Sequence, residues 1–464
     1  MKHIRIFPIF GIGNLIFLLI LLTACGGQKS NTSISQESTK PNIIFIMADD
    51  LGYGDLGSFG QKVIQTPSLD KMAIEGTRFT DCYAGSTVCA PSRSVLMTGL
   101  HTGHTTVRGN FGKHGVVGLG GGNGRVPLEA DDVTVAEVLK SVGYVNGMTG
   151  KWGLGEPDTT GHPNDQGFDE WFGYLNQRKA HSYYPDFIWR NKEKVEFPEN
   201  ADGKKVTYSH DLFTDFALDF VTRHKDEPFF LYIPYTIPHA RYEIPVTAPY
   251  TDEPWTDDEK VQAAMITRMD RHIGSLFQLL KDLEIDENTI VFFCSDNGAA
   301  ERWEGRFDAS GILQGRKRDM YEGGIRTPMI VRWPGKVAAG ATDDLAWYFA
   351  DVLPTLADLA GAESQDNIDG VSVLPTLLGK SQDLSDRFMY WEFHERTFQQ
   401  AIRQGKWKAI CSGLGAPLQL YDLSKDISES NNVADENPQI VAELESLLKT
   451  ARSPSKNWPV EGLD

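Results

Sequence analysis

Cys89-Ala90-Pro91-Ser92-Arg93, inside STVCAPSRSVLMTG, sets a nucleophilic side chain two residues ahead of a proline that opens an apolar stretch. Proline suits the first helical position, so this spacing predicts a helix entered at Pro91. The free N–H groups of such a helix, and the positive end of its dipole, would face residue 89 and any anion held there. Arg93 follows within the first turn, where it is placed either to reach a metal ligand or to form a surface ion pair.

A second group of side chains offers only oxygen. Asp49 and Asp50 follow the apolar run NIIFIM, and Asp296 and Asn297 follow TIVFFC. Three carboxylates gathered at one place repel one another and resist ionisation unless a hard cation neutralises them. Oxygen-only ligation selects Ca2+, with Mg2+ as the second choice, over zinc. Taken singly, Asp-Asp-Leu-Gly-Tyr-Gly and Ser-Asp-Asn-Gly are also good turn sequences. Their occurrence together with Cys89 is what points to a metal site.

These runs, and FFLYIPYTI at 229–237 leading into Pro238-His239, are continuous and rich in β-branched and aromatic residues. That is the texture of strands buried on both faces of a largely parallel sheet. Ligands in such sheets sit beyond the carboxyl ends of the strands, so the three polar endings can converge. Helical periodicity lies between them. Val135, Val138, Leu139 and Val142 share one face of 133–142, with Gly143 as a cap. In 260–283 apolar residues recur at Val261, Ala264, Met265, Met269, Ile273, Leu276, Phe277 and Leu280, a spacing that marks Met265 and Met269 as core. The texture changes near 386, where RFMYWEF, QAIRQGKWKAI and PLQLYDL read as short strands with a hairpin at Gly405, and 438–451 as a terminal helix. The expected fold class is α/β: a large, mostly parallel central sheet flanked by helices over 41–385, with a smaller C-terminal α+β subdomain over 386–464.

A net charge of −18 argues against a nucleic-acid or anionic-membrane binder, so a polyanionic ligand must be met by a locally basic pocket. Residues 1–25 read as a targeting segment, with Lys2, His3 and Arg5 ahead of an apolar run. Leu22-Thr23-Ala24-Cys25 resembles a bacterial lipobox, whose cysteine is lipidated and becomes the mature N-terminus; a plain signal peptide or single membrane anchor is the alternative. Residues 26–40 read as a flexible tether, which sets the expected location at the bacterial envelope, on the outer membrane, facing the periplasm or the cell surface. Cys82, Cys294 and Cys411 show no C-x-x-C spacing, against a zinc site or a disulfide framework, and Cys294 reads as a small buried hydrophobe.

The C-x-P-S-R pentapeptide does not stand alone. Gly150-Lys151-Trp152-Gly153-Leu154-Gly155, Gly315-Arg316-Lys317 and Tyr321-Glu322-Gly323-Gly324-Ile325-Arg326-Thr327-Pro328 accompany it. Together they resemble the blocks of the formylglycine-dependent sulfatases, within the alkaline phosphatase superfamily, and the resemblance covers nearly the whole chain beyond the tether. It implies that a maturation enzyme oxidises Cys89 to formylglycine, whose hydrate attacks the sulfur of a sulfate ester. It implies that Asp49, Asp50, Asp296 and Asn297 bind Ca2+ together with the modified Cys89. Lys151 and Lys317 would hold sulfate oxygens, Arg93 the diol or a metal ligand, and His239 would serve the leaving alcohol. Cations beside sulfuryl oxygens stabilise transition-state charge, and histidine titrates near neutral pH. The bound sulfate would leave as the second diol hydroxyl is deprotonated and the aldehyde re-forms.

One position departs from the family. Its second block often reads G-K-W-H, with the histidine near the diol, where this chain has Gly153. His101, His104, His162 and His181 are available to replace it, His104 and His181 foremost; otherwise Arg93 and a metal-bound oxygen suffice. Asn297 favours a single hard cation over the two-zinc phosphatases and phosphodiesterases of the superfamily, since zinc prefers nitrogen ligands. Sugar recognition is expected from 176–184 and 390–396, where aromatic, basic and amide groups mix, with His104, His181, Trp391 and His394 as substrate contacts. The implied substrate is a sulfated oligo- or polysaccharide, such as an algal galactan, ulvan or a glycosaminoglycan. Small aryl sulfates, or sulfated-glycan binding without catalysis, are the other readings.

Overall fold

The computed structural model describes residues 40–116, 124–300, 303, 305–363, 365–395 and 397–464. Within it, 40–464 form one compact unit. Residues 1–39, with Cys25 and nearly all of the tether, lie outside the described residues, as does Arg396.

Ten strands make one mixed sheet, in the order Ala341–Asp343, Thr77–Phe79, Met329–Arg332, Thr289–Ser295, Asn42–Ala48, Phe229–Pro234, Val145–Lys151, Glu170–Tyr174, Phe187–Arg190, Glu193–Glu196. From Thr289–Ser295 to Glu170–Tyr174 every pairing is parallel. The pairings of Met329–Arg332 and of Phe187–Arg190 are antiparallel. The expected parallel sheet is therefore realised at its centre, where the site lies, and is flanked by antiparallel pairings, while the edge strand Ala341–Asp343 pairs parallel with Thr77–Phe79.

The apolar runs are buried on both faces because the sheet separates two cores. Ile43, Phe45 and Met47 point into one, Ile44, Ile46 and Ala48 into the other. The helix Cys89–Thr98 is buried along its whole length and packs in the first core; Asp257–Asp282 covers the second, with Met265 and Met269 fully buried in it. Thr256 and Glu259 close a capping box at the start of the long helix, and Thr134 and Glu137 do the same for Val135–Ser141. Two boundaries differ from the sequence expectation. The Phe229 strand ends at Pro234, not at 237, because proline has no N–H with which to continue the ladder. The helix expected from Pro91 begins at Cys89, and proline is its third residue, where an N–H would have had no intrahelical partner.

Beyond 386 a four-stranded antiparallel sheet of Phe388–Phe393, Gln399–Gln404, Trp407–Cys411 and Gln419–Asp422 turns at Gly405, where φ is +54°. Met389, Trp391 and Ala401 face the main core, while Tyr390, Ile402 and Ala409 pack with Leu444 and Leu448 of the terminal helix Pro438–Thr450.

Candidate functional site

Asp49 and Asp50 follow the Asn42 strand, Asp296 and Asn297 the Thr289 strand, and Lys151 is the last residue of the Val145 strand. Backbone bonds lock the two acidic ends side by side: Asp296 N–H donates to Ala48 O at 3.0 Å, and Asp49 N–H to Ile237 O at 2.9 Å. Ser295 Oγ accepts from Leu51 N–H at 2.9 Å, and Thr327 Oγ1 accepts from Ser295 N–H at 2.8 Å. Gly298 then has no room for a side chain, since a Cβ there would lie 1.9 Å from Gly323 O. The Tyr183 hydroxyl lies 2.5 Å from Thr236 O and 2.8 Å from His239 O, fixing the loop that carries His239.

Cys89, the first residue of its helix, meets these groups. Its Sγ is 3.4 Å from Asp49 Oδ1 and accepts from Lys317 Nζ at 3.5 Å. Lys151 Nζ donates to Asp49 Oδ2 at 2.6 Å, and Lys317 Nζ to both oxygens of Asp50 at 2.6 and 2.8 Å. Arg93 points inward: Nε and a terminal nitrogen reach Asp296 Oδ2 at 3.1 and 2.7 Å, and the other terminal nitrogen reaches Lys151 O at 2.6 Å. Its alternative as a surface ion pair is therefore excluded. Three carboxylates thus face two lysines and an arginine in a buried cluster.

This balance sets the protonation states. Burial alone would raise Asp49 and Asp50, but Lys151 beside the first and Lys317 beside the second outweigh it and hold both below the usual carboxylate range. Asp296 moves the other way, to about 6, because burial and the Asp49 charge exceed the effect of Arg93. Burial, Asp296 and Asp49 push the Cys89 thiol up to about 12. Burial lowers His239 despite Asp50 and Asp49, and lowers His181 to about 3 with His239 as the next cause. The two imidazoles stack at 4.1 Å.

The donor set could hold a metal ion. One ligand atom each from Asp49, Asp50, Cys89 and His239 falls within 4.8 Å of all the others. Asn297 donates through Nδ2 to Asp50 Oδ1 at 2.7 Å, yet its Oδ1 is buried with no partner, an acceptor facing no donor. His239 Nδ1 lies against Ala240 O, which only accepts, so Nδ1 carries the hydrogen and Nε2 faces Asp50 Oδ2 at 3.4 Å. Two acceptors facing each other leave a place for a proton or a metal ion.

Two comparisons with sequences and one with structures bear on this centre. The family model described as Sulfatase matches residues 41–362, and N-sulphoglucosamine sulphohydrolase, C-terminal, matches 315–454. The chain belongs to the sulfatase family. This sulfatase is 34% identical to human arylsulfatase A, over 88% of its own length and 87% of the relative. It is 31% identical to N-acetylgalactosamine-6-O-sulfatase of Bacteroides thetaiotaomicron, over 94% and 97%. Among solved structures, Ps i-CgsB in complex with k-i-k-neocarrahexaose superposes with a TM-score of 0.78 at 31% identity, covering 89% of this chain and 93% of that one.

Several residues named from the sequence stand elsewhere in the sulfatase. Trp391 is no substrate contact: it is fully buried, packs on Tyr83 and Tyr348, and donates from Nε1 to Ala84 O at 2.8 Å. His104 pairs with Asp369 at 2.9 Å and stacks on His101, so neither replaces the histidine missing at 153. His162 caps the turn Pro163–Gln166. His394 is held by Glu392 Oε1 at 2.9 Å. Only His181 of these histidines joins the cluster. The space beside Gly153 is taken by Gln177, whose Cγ would lie 2.8 Å from a Cβ at 153. Gln177 and Tyr183 belong to the 176–184 stretch expected to meet a sugar, whereas Asn110 escaped sequence reasoning because a single polar side chain in a loop carries no periodic signal. A cavity of about 710 Å³ lined by Glu156, Tyr174, Asn176, Lys179 and Trp189 contains none of the clustered groups, whose own centre is filled by ion pairs.

Proposed function

We propose that this sulfatase removes sulfate from a sulfated carbohydrate at the Cys89 centre, after a maturation enzyme has converted Cys89 to formylglycine. The observation that carries the reading is the setting of Cys89: first in a buried helix, 3.4 Å from Asp49 and 3.5 Å from Lys317. A thiol pushed up to about 12 is a poor nucleophile at neutral pH, and a formylglycine hydrate would supply an oxygen nucleophile in its place. Asp49, Asp50, Asp296 and Asn297 would hold Ca2+, with Mg2+ as the second choice. When bound, the ion would supply positive charge beside the nucleophile.

The chain's own residues do the rest. Lys151 and Lys317 sit on Asp49 and Asp50; with a cation held by those carboxylates, each ammonium would be free to donate to a sulfate oxygen. Arg93, fixed by Asp296 and Lys151 O, keeps the acidic wall in register with the nucleophile's helix. His239, its side chain 12% exposed and its Nε2 3.4 Å from Asp50 Oδ2, would serve the leaving oxygen, and the lowered pKa makes its protonated form a stronger acid.

Two of the three relatives carry a carbohydrate in their names, which supports a sugar ester over a small aryl ester. The lipobox at Cys25 supports anchoring at a bacterial outer membrane, which fractionation of wild type and Cys25→Ala would check. The activity is tested on enzyme produced with a maturation enzyme, by comparing sulfate release from sugar sulfates with phosphate release from the matching phosphate esters. Faster sulfate release is expected, and a preference for phosphate contradicts the proposal.

A further inference from the structure

Arg125 is 8% exposed, yet its charge has no anion. Its Nε is buried without a hydrogen-bond partner, one terminal nitrogen donates to Asn110 O, and the guanidinium lies 4.3 Å from the centre of the Phe111 ring. Among the described residues it forms no ion pair. Other buried arginines all do: Arg93 with Asp296, Arg326 with Glu322, Arg332 with Asp286 and Arg403 with Asp81. A desolvated guanidinium without a counter-charge is costly, so its retention calls for an anion that arrives from outside.

The location is beside the nucleophile. Asn110, whose carbonyl oxygen takes Arg125, accepts through Oδ1 at 3.3 Å from the N–H of Ala90, the residue next to Cys89. Val116 and Arg125 exchange backbone hydrogen bonds of 2.8 and 3.0 Å, which fix the main chain that carries the guanidinium. The carboxylates that Arg125 feels are committed or weakened. Glu395 binds Asn110 and Arg318, while Glu156 binds Asn176 and is raised by burial above the usual carboxylate range. The sequence between the paired positions, VGLGGGN at 117–123, holds no acidic residue.

We propose that Arg125 receives a second negative group of the substrate, a carboxylate or a further sulfate close to the sulfate that is removed. This rests on the sulfatase reading above and narrows its substrate to a glycan bearing at least two neighbouring anions. In a chain of net charge −18 the overall field repels such a substrate, and a planar guanidinium is the side chain that meets carboxylate or sulfate through two parallel N–H groups.

The test compares three probes on matured enzyme: N-acetylgalactosamine 6-sulfate, its 4,6-disulfate, and the disaccharide of glucuronate with N-acetylgalactosamine 6-sulfate. Wild type is expected to favour at least one doubly charged probe by about tenfold in kcat/KM, and Arg125→Gln to erase that preference mainly through KM. Which probe is favoured tells sulfate from carboxylate. Equal kcat/KM on all three probes with wild type overturns the inference without reference to any variant, and so does a preference that persists in Arg125→Gln. Wild type that releases no sulfate from any probe, yet hydrolyses phosphate esters, overturns the sulfatase reading and this inference with it.

Discussion

Asn297 Oδ1, a buried acceptor without a donor, is the single atom that most plainly asks for a cation. Its amide nitrogen already serves Asp50, so the oxygen is the free end of a side chain held in place. Asn297→Ala is expected to weaken Ca2+ or Mg2+ binding by about 10- to 100-fold, read by titrating activity or by calorimetry; unchanged affinity would remove Asn297 from the ligand set. That this residue would gather with Asp49, Asp50, Asp296, Lys151, Lys317 and His239 was legible from the sequence, because each ends a buried run or sits in a dense motif. Trp391 was misread for a physical reason. It lies in a strand whose two faces are both covered, so an aromatic side chain in a polar-looking stretch found a core, not a sugar.

Among the elements, the helix Cys89–Thr98 and the strand Val145–Lys151 bring the reactive groups together, and both owe their fit to small departures from regularity. The strand leads into Gly153 at φ +85°, a conformation that strains any L side chain, and Gln177 fills the adjoining space. Gly153→His, which would restore the commoner family residue, is therefore expected to destabilise the fold by about 1–3 kcal/mol, seen as a lowered unfolding midpoint. Adding Gln177→Ala should recover part of that loss by clearing the clash but not the backbone strain. A Gly153→His protein as stable as wild type would contradict the packing described. Strand and helix types were readable from apolar periodicity. Their ends at Pro234 and Cys89 were not, since those are set by where a missing N–H is tolerated.

At the scale of the whole molecule, the C-terminal sheet is welded to the catalytic unit by buried charge. Glu392 is fully buried and meets Arg108 at 3.4 Å, Arg452 at 3.0 Å and His394 at 2.9 Å. Burial would raise its pKa, but the hydrogen bond from His394 and the charges of His394, Arg108 and Arg452 hold it at about 2. A carboxylate depressed in the folded state stabilises above its unfolded value, near 4.3, and loses that contribution as pH falls towards 2. Wild type should therefore be more stable than Glu392→Gln at pH 6 by about 3 kcal/mol, with the difference shrinking below about pH 4. A difference that does not vary between pH 6 and 3 would show that Glu392 is not held ionised by its partners. The sequence showed a change of texture at 386 but not this weld, because Arg108 and Arg452 are far from Glu392 along the chain. The formylglycine mechanism is the claim on which every other role depends, and the fraction of Cys89 converted, measured by peptide mass spectrometry on preparations made with graded amounts of maturation enzyme, tests it most directly. Sulfate release should rise in proportion to that fraction and vanish where Cys89 is intact; full activity from unmodified Cys89 would contradict it.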